Sequence, residues 1–452
     1  MKIVIAGCGK VGAVLADQLS SINHDVIVID IEEENLFYVE NSLDVMCVTG
    51  NAASVSVLNE VGIDKCDLLI AMTGSDELNL VICLTAKKLG VANTIARVRN
   101  PIYAESIDII KEDTGLSMAV NPEYEAAQEI FRSLRFKSAG QVEAVANSSV
   151  EVITCTINQK TPLCGIEIKD LYKVAGARIF ACAIKRGSEV FIPNAQTKFM
   201  DGDVLSFVAS PEDTFTFFNK MGYDTRKINN MVIIGAGRLG YYLGKLCLEN
   251  GIPVKFIEKN RETCKKIDIE LPGSEVIYGS GTDIDLYEEE NIYNANAIAS
   301  VTGVDETNML ISMYLKTNAP NAKIITKIKK SDFEEIMHNV NIGNVFYPKY
   351  ITADQILKYV CAMDNSKSDE IQSLYHVIDN KVEVLEILVK ETHPHRGIAL
   401  KDLRLKNNLL IANISRAGDS FIPGGEDTME AGDTLLIVTT RNDIGKFVDI
   451  FA

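Results

Sequence analysis

Two stretches of this chain, about 228 residues apart from Gly7 to Gly235, share one construction. Lys2-Ile3-Val4-Ile5-Ala6-Gly7-Cys8-Gly9-Lys10-Val11-Gly12 runs on to Asp30, and Met231-Val232-Ile233-Ile234-Gly235-Ala236-Gly237-Arg238-Leu239-Gly240 runs on to Glu258. A short apolar run that breaks into three spaced glycines reads as a buried strand turning directly into a helix. One such pattern is weak evidence. Two in register, each followed by an acid at the same spacing, argue against an isolated loop and fix a duplicated strand, turn, helix, strand unit.

The rest of each half extends that unit. After Lys2–Ala6 and Asp25–Asp30, the runs Val45–Val48, Leu68–Ala71 and Thr94–Val98 read as short strands, separated by helical patterns such as Ala53–Val61 and Glu77–Leu89. Val254–Glu258, Glu275–Tyr278, Ala297–Val301 and Ile324–Ile328 fall at matching places in the second half. Strands alternating with helices predict an α/β fold: two Rossmann-like doubly wound parallel sheets. A helix from Pro122 through Phe136 leaves the first sheet, and Pro348 begins the same exit in the second copy. Each exit leads to a smaller unit with a repeated core. Gly165 and Leu171, Ile184-Lys185-Arg186-Gly187, Phe191-Ile192-Pro193 and Asp201-Gly202-Asp203 match Gly397 and Leu403, Ile414-Ser415-Arg416-Ala417, Phe421-Ile422-Pro423 and Ala431-Gly432-Asp433. Small turn residues between short apolar runs predict a hairpin-rich α+β lobe. The expected order is large domain 1–120, exit helix and linker 121–140, lobe 141–225, large domain 226–347, exit helix and linker 348–370, and lobe 371–452.

Composition narrows the class. A chain of 452 residues is too long for one ordinary core, and 47% hydrophobic with 24% charged residues describes a globular protein. No apolar run approaches a membrane span, and the N-terminus enters a strand pattern without a signal peptide, so the expectation is a cytoplasmic protein with no insertion into the membrane. A net charge of −17 disfavours nucleic acid. The ten cysteines are scattered, without a Cys-x-x-Cys pair, and predict neither disulfides nor a metal site.

The glycine turns suggest a ligand. Gly7 allows the tight turn, Gly9 lets a pyrophosphate approach the backbone, and Gly12 lets helix and strand pack; Gly235, Gly237 and Gly240 repeat these roles. The phosphates would lie on free N–H groups at a helix N-terminus, among Cys8, Lys10 and Val11 or Ala236, Arg238 and Leu239. Asp30 and Glu258 are placed to accept from ribose hydroxyls and to repel a 2′-phosphate, which favours NAD or an adenine nucleotide over NADP, though a solvated carboxylate at a strand end has the same signature. Asn51-Ala52 after the third strand, and Ser280 in the second copy, can edge an adenine pocket. The turns Thr73-Gly74 and Thr302-Gly303 could lie over the phosphates, while the following Asp76, Glu77, Asp305 and Glu306 fit equally well as first-turn helix residues. Arg97 and Lys327 close the fifth strands where they could pair with phosphate, though an ordinary surface cation has the same signature. None of the five histidines repeats between halves, and there is no Gly-Lys-Ser/Thr phosphate loop. No catalytic residue is expected, and nucleotide binding without acid–base groups points to sensing.

With these residues in place, the whole chain resembles the TrkA family, the nucleotide-binding regulatory subunits of bacterial Trk potassium transporters. The Gly-x-Gly-(Lys/Arg)-(Val/Leu)-Gly turns, the Gly50 and Gly279 loops, the two Thr-Gly-x-Asp-Glu turns and the alternating domains carry the resemblance. It implies tandem RCK (regulator of potassium conductance) units, each a Rossmann-like N-terminal domain and a C-terminal lobe. It also implies a homo-oligomeric ring, a dimer or tetramer of chains, peripheral at the inner face of the cell membrane beneath a TrkH/TrkG-like membrane subunit. NAD(H), with ATP or ADP at the same sites, is the implied ligand set. Asn51 stands where the family often has Asp, and Ser280-Gly281-Thr282 replaces that loop in the second copy.

Two other readings compete. An NAD-dependent oxidoreductase would need an acid or base near Gly74 or Gly303, and the sequence offers none. The lobes could take a ligand of their own, cyclic di-AMP, as similar lobes of related potassium regulators do; the apolar runs Ile179–Ile184 and Leu409–Ile414 are equally a dimer core.

Overall fold

The computed structural model describes residues 1–137, 139–145, 150–330, 342–364, 371–378, 381–441 and 447–451. The first large domain contains β1 (Lys2–Ala6), β2 (Asp25–Asp30), β3 (Met46–Thr49), β4 (Leu68–Ala71), β5 (Asn93–Arg97) and β6 (Met118–Val120), in the parallel order β3-β2-β1-β4-β5-β6. Ile5 of β1 lies between Val28 of β2 and Ile70 of β4. All three are fully buried. Helices cover both faces of this sheet, which is why its central strands read as unbroken apolar runs rather than alternating ones.

The first lobe is an antiparallel sheet of β7 (Ala139–Val145), β8 (Val150–Thr156), β9 (Ile179–Arg186), β10 (Glu189–Phe191) and β11 (Val204–Ala209), ordered β10-β9-β11-β8-β7. The second large domain holds β12 (Met231–Ile234), β13 (Val254–Glu258), β14 (Glu275–Tyr278), β15 (Ala297–Ser300), β16 (Lys323–Lys327) and β17 (Asn344–Phe346), ordered β14-β13-β12-β15-β16-β17. The second lobe follows with β18 (Ile371–Val377), β19 (Val382–Leu388), β20 (Leu409–Arg416), β21 (Asp419–Phe421) and β22 (Thr434–Thr439). Its order, β18-β19-β22-β20-β21, is that of the first lobe. The expected α/β class with two doubly wound sheets and two small lobes is the observed one. The strands β6 and β17 are not among those expected from sequence, because three residues are too short to show a period.

The repeated lobe motif has a structural cause. Arg186, at the end of β9, donates from Nε and Nη2 to both oxygens of fully buried Asp203, each at 2.8 Å. Arg416 does the same to Asp433, at 2.8 and 2.7 Å. This two-pronged ion pair ties a hairpin to the turn before the last strand.

Two compact units form, and they exchange the exit helices. Met1–Glu125 groups with the second exit helix, Pro348–Asp364, from Lys349 onward; the described part of the linker 348–370 ends there. The first exit helix, Pro122–Ser133, groups from Ala126 with the second large domain and both lobes. Inside that second unit, the Nζ of buried Lys323, at the start of β16, donates to the carbonyls of Ser133, Phe136 and Ala139. The exit helix therefore ends on a lysine of the second sheet. Burial pushes that ammonium down to about 7.

The lobes also pack on each other within this unit. Val152, Cys182, Ala183 and Val208 of the first lobe share a core with Val384, Ala412, Leu436 and Val438 of the second. One face of each sheet is thus spent on the other lobe.

Candidate functional site

Both glycine turns lie at the carboxyl ends of the strands, where the strand order reverses between β1 and β4 and again between β12 and β15. That switch point is the general ligand crevice of open parallel sheets. The three glycines of each turn meet three different surroundings. Gly7 and Gly235 have φ of +105° and +100°, and a Cβ on either would lie 2.9 Å from backbone atoms of the Thr73 or Thr302 turn. A Cβ on Gly12 would lie 2.0 Å from the Gly7 carbonyl oxygen, and one on Gly240 2.2 Å from that of Gly235. At Gly9 and Gly237 nothing comes within 4 Å. The first and third glycines are thus demanded by the fold, while the middle one faces open space.

Helices Lys10–Ser21 and Arg238–Glu249 start at Gly9 and Gly237 without a side-chain cap or an acid in the first turn. Their first N–H groups have no partner inside the helix and lie at the positive end of its dipole. Lys10 and Arg238 stand exposed beside them. Free donors, open space and a cation fit a phosphate group. By contrast, the helix Asp76–Lys88 is capped by Ser75, whose Oγ accepts from the Leu78 N–H at 3.2 Å.

The acids at the strand ends hold the turns. Asp30 accepts from the Cys8 N–H at 2.6 Å, from the Glu32 N–H at 2.9 Å and from Asn35 Nδ2 at 3.1 Å. Glu258 accepts from the Ala236 N–H at 2.8 Å and the Asn260 N–H at 2.8 Å. Its extra methylene does not displace it from the middle amide of the glycine turn. Each carboxylate oxygen can accept more than one bond, so a ribose hydroxyl can still be bound. Burial and the charge of Asp30 push the Cys8 thiol up to about 12, so it is neither a thiolate nor a nucleophile at neutral pH.

The Thr-Gly turns are built by an asparagine to which the sequence alone assigns no role. Asn79, fully buried, accepts from the Thr73 N–H at 2.8 Å and Thr73 Oγ1 at 2.7 Å, and donates to the Arg97 carbonyl at 2.9 Å. Asn308 makes the same set with Thr302 at 2.9 and 2.7 Å and with the Lys327 carbonyl at 3.0 Å. The signal for it is its recurrence six residues after each threonine. Asp76 accepts from the N–H groups of Arg99 and Asn100, and Asp305 from those of Lys329 and Lys330, so both acids brace the loop after the fifth strand. Gly74 and Gly303 are exposed, and a Cβ on either would meet nothing within 4 Å.

Arg97 and Lys327 point inward. Arg97 donates to the Thr73 carbonyl and Lys327 Nζ to the Val301 carbonyl at 2.6 Å, which places their charges beneath the Thr-Gly turns. Asn51 is exposed and accepts from the Ala53 N–H at 2.9 Å, with Ala52 buried behind it; exposed Ser280 bonds to Thr282 Oγ1 at 2.8 Å. The Gly50 N–H donates to the Asp30 carbonyl and that of Gly279 to the Glu258 carbonyl. The glycine turn, the acid, the third-strand loop, the Thr-Gly turn and the fifth-strand cation are thereby brought together at the carboxyl edge of the sheet in each copy.

Among the described residues, no three His, Cys, Asp or Glu side chains converge as a metal site, and no helix is long and apolar enough to cross a membrane. Fold and site define a class: a duplicated Rossmann-like protein with a glycine turn and an uncapped helix N-terminus at the switch point of each sheet. Family models for the TrkA-N domain match residues 3–122 and 231–348, and those for the TrkA-C domain match 152–222 and 384–452. The chain belongs to the TrkA family, a family of potassium-uptake proteins and not of enzymes.

Curated relatives include a Trk system potassium uptake protein TrkA homolog of Archaeoglobus fulgidus, 32% identical over 452 residues and covering all of both chains. TrkA homolog 1 of Methanosarcina mazei is 30% identical over 445 residues, 97% of each chain. Among solved structures, the GsuK channel bound to NAD aligns with a TM-score of 0.61 at 17% identity, over 98% of this chain and 77% of that one. GsuK bound to ADP aligns with a TM-score of 0.51 at 14% identity, over 81% and 70%. These structures share the fold.

Proposed function

We propose that this chain is the nucleotide-sensing regulatory component of a potassium uptake system, with NAD(H), ATP or ADP bound in its two crevices. The observation that carries the reading is the pair of uncapped helix N-termini, each fronted by a glycine with open space, an exposed cation and a braced acid. Full-length relatives named as Trk potassium uptake proteins supply the system, and the GsuK structures with NAD and ADP supply the ligand class.

In this reading the N–H groups at Lys10–Gly12 and Arg238–Gly240 hold the phosphates, Lys10 and Arg238 add charge, and Asp30 and Glu258 take ribose hydroxyls. Asn51 and Ser280 edge the bases. Thr73-Gly74 and Thr302-Gly303 close over the phosphates, supported from below by Arg97 and Lys327. The ligand supplies charge to be bound and no chemistry. It acts by binding one arrangement of the large domains more tightly than another. A homo-oligomeric ring of chains would pass that difference to a separate membrane subunit, with this protein at the cytoplasmic face.

Titrating the purified full chain with NADH, ATP and ADP tests the first step; saturable binding of at least one is expected, and no binding of any by folded protein overturns the reading. Potassium uptake with Gly9→Asp and Gly237→Asp tests the second. Loss of nucleotide response with folded protein is expected, and an unaltered response counts against gating through these crevices.

A further inference from the structure

A cavity of about 610 Å³ opens inside the second unit, where the end of the first exit helix, the first lobe, the linker before β12 and the turn after Arg238–Glu249 meet. Its walls are largely apolar, with Phe131 and Leu134 from the exit segment facing Ile228 and Ile252. Its volume falls within the range of small-molecule sites.

Set in this lining is Glu151 of β8, only 6% exposed. Arg135 donates to its Oε1, while its buried Oε2 has no hydrogen-bond partner among the described residues. A buried carboxylate oxygen left without a donor is costly, and native proteins rarely leave one unmatched. Lys227 stands exposed on the same lining and makes no ion pair with any described residue.

We propose that this cavity is a ligand site separate from both glycine crevices, for a compact organic anion with an apolar body and an N–H or O–H donor. The Glu151 carboxylate, whose Oε2 is closed off from solvent in the unliganded chain, turns to meet the donor, the anion meets Lys227, and the body displaces water from Phe131, Leu134, Ile228 and Ile252. Because the lining comes from elements that meet at one joint, occupancy favours whichever joint angle closes the walls best.

Anilinonaphthalene sulfonate has these features, an apolar ring body, a sulfonate and one N–H, and its fluorescence reports its surroundings. The full chain should bind it at a saturable site. Lys227→Glu should weaken binding about threefold to tenfold, as expected for reversing one partly screened charge. Asn229→Trp, which enlarges an exposed lining residue, should weaken it further, and both variants should melt with the wild type. Saturating NADH or ADP should leave the probe bound. Binding that neither variant alters, that does not saturate, or that the nucleotides displace would overturn the proposal.

Discussion

Gly9 and Gly12 lie within one turn of chain and carry opposite constraints. Gly12 has no room for a methyl group, so Gly12→Ala should cost about 2 kcal/mol or more, read as a lower melting temperature. Gly9 has room and an ordinary φ of −72°, and it is the N-cap of its helix. Gly9→Asp should therefore keep the stability or raise it by about a few tenths of a kcal/mol through capping. The same carboxylate takes the free N–H groups and repels phosphate, so this variant should lose nucleotide at the first crevice. Calorimetric titration beside thermal melts checks both, and a destabilised Gly9→Asp would show that the glycine serves the fold. Both glycines were legible in the sequence by their spacing. What spacing could not tell is which of them the fold needs and which it leaves open.

At the scale of elements, the two halves offer internal controls. The β9–β10 turn uses Gly187 at φ +61°, whereas the β20–β21 turn places Ala417 at φ +53°. A Cβ in that left-handed region is strained, so Ala417→Gly should stabilise the second lobe by about 0.5–1 kcal/mol, read from urea unfolding of the full chain. Equal or lower stability would mean that the unfolded chain's gain in freedom outweighs the relief of strain. The Asn79 and Asn308 pins make the complementary case. Asn308→Ala leaves the Thr302 N–H and the Lys327 carbonyl without their buried partner and should cost about 2–4 kcal/mol. It should also weaken nucleotide binding at the second crevice before the first. The Asp76 and Asp305 positions, which the sequence left divided between helix start and ligand contact, face the loop after the fifth strand. Sequence spacing places such residues in a turn but does not say which way they face.

At the scale of the whole molecule, Lys323 sits in an environment that its sequence context does not announce. It begins a strand like any other lysine, but its ammonium is buried against three carbonyls where the exit helix ends. Its folded value near 7 lies below its ordinary 10.5, so the unfolded chain binds more protons between those values. Stability contributed by this site should therefore rise as pH goes from about 7 to about 10 and stay flat below 7. Melting curves of the wild type and Lys323→Met across that window check the sign. A difference between them that does not change with pH would mean that the three carbonyls hold the proton against burial. The exchange of exit helices belongs to this scale too, and no local pattern announces it.

By itself the sequence determined the duplicated α/β plan, the parallel sheets, the lobes and the positions of both glycine turns. These follow from short-range rules: apolar runs make buried strands, and spaced glycines make the only turns that let a strand feed a helix so tightly. Tertiary structure alone decided that Asp30 and Glu258 grip the turn amides, that Arg97 and Lys327 turn inward, that the exit helices change partners and that Glu151 borders a cavity with one oxygen unmatched. The reason is range: each of these depends on which distant backbone group or apolar surface arrives beside a side chain, and a one-dimensional period carries no record of that.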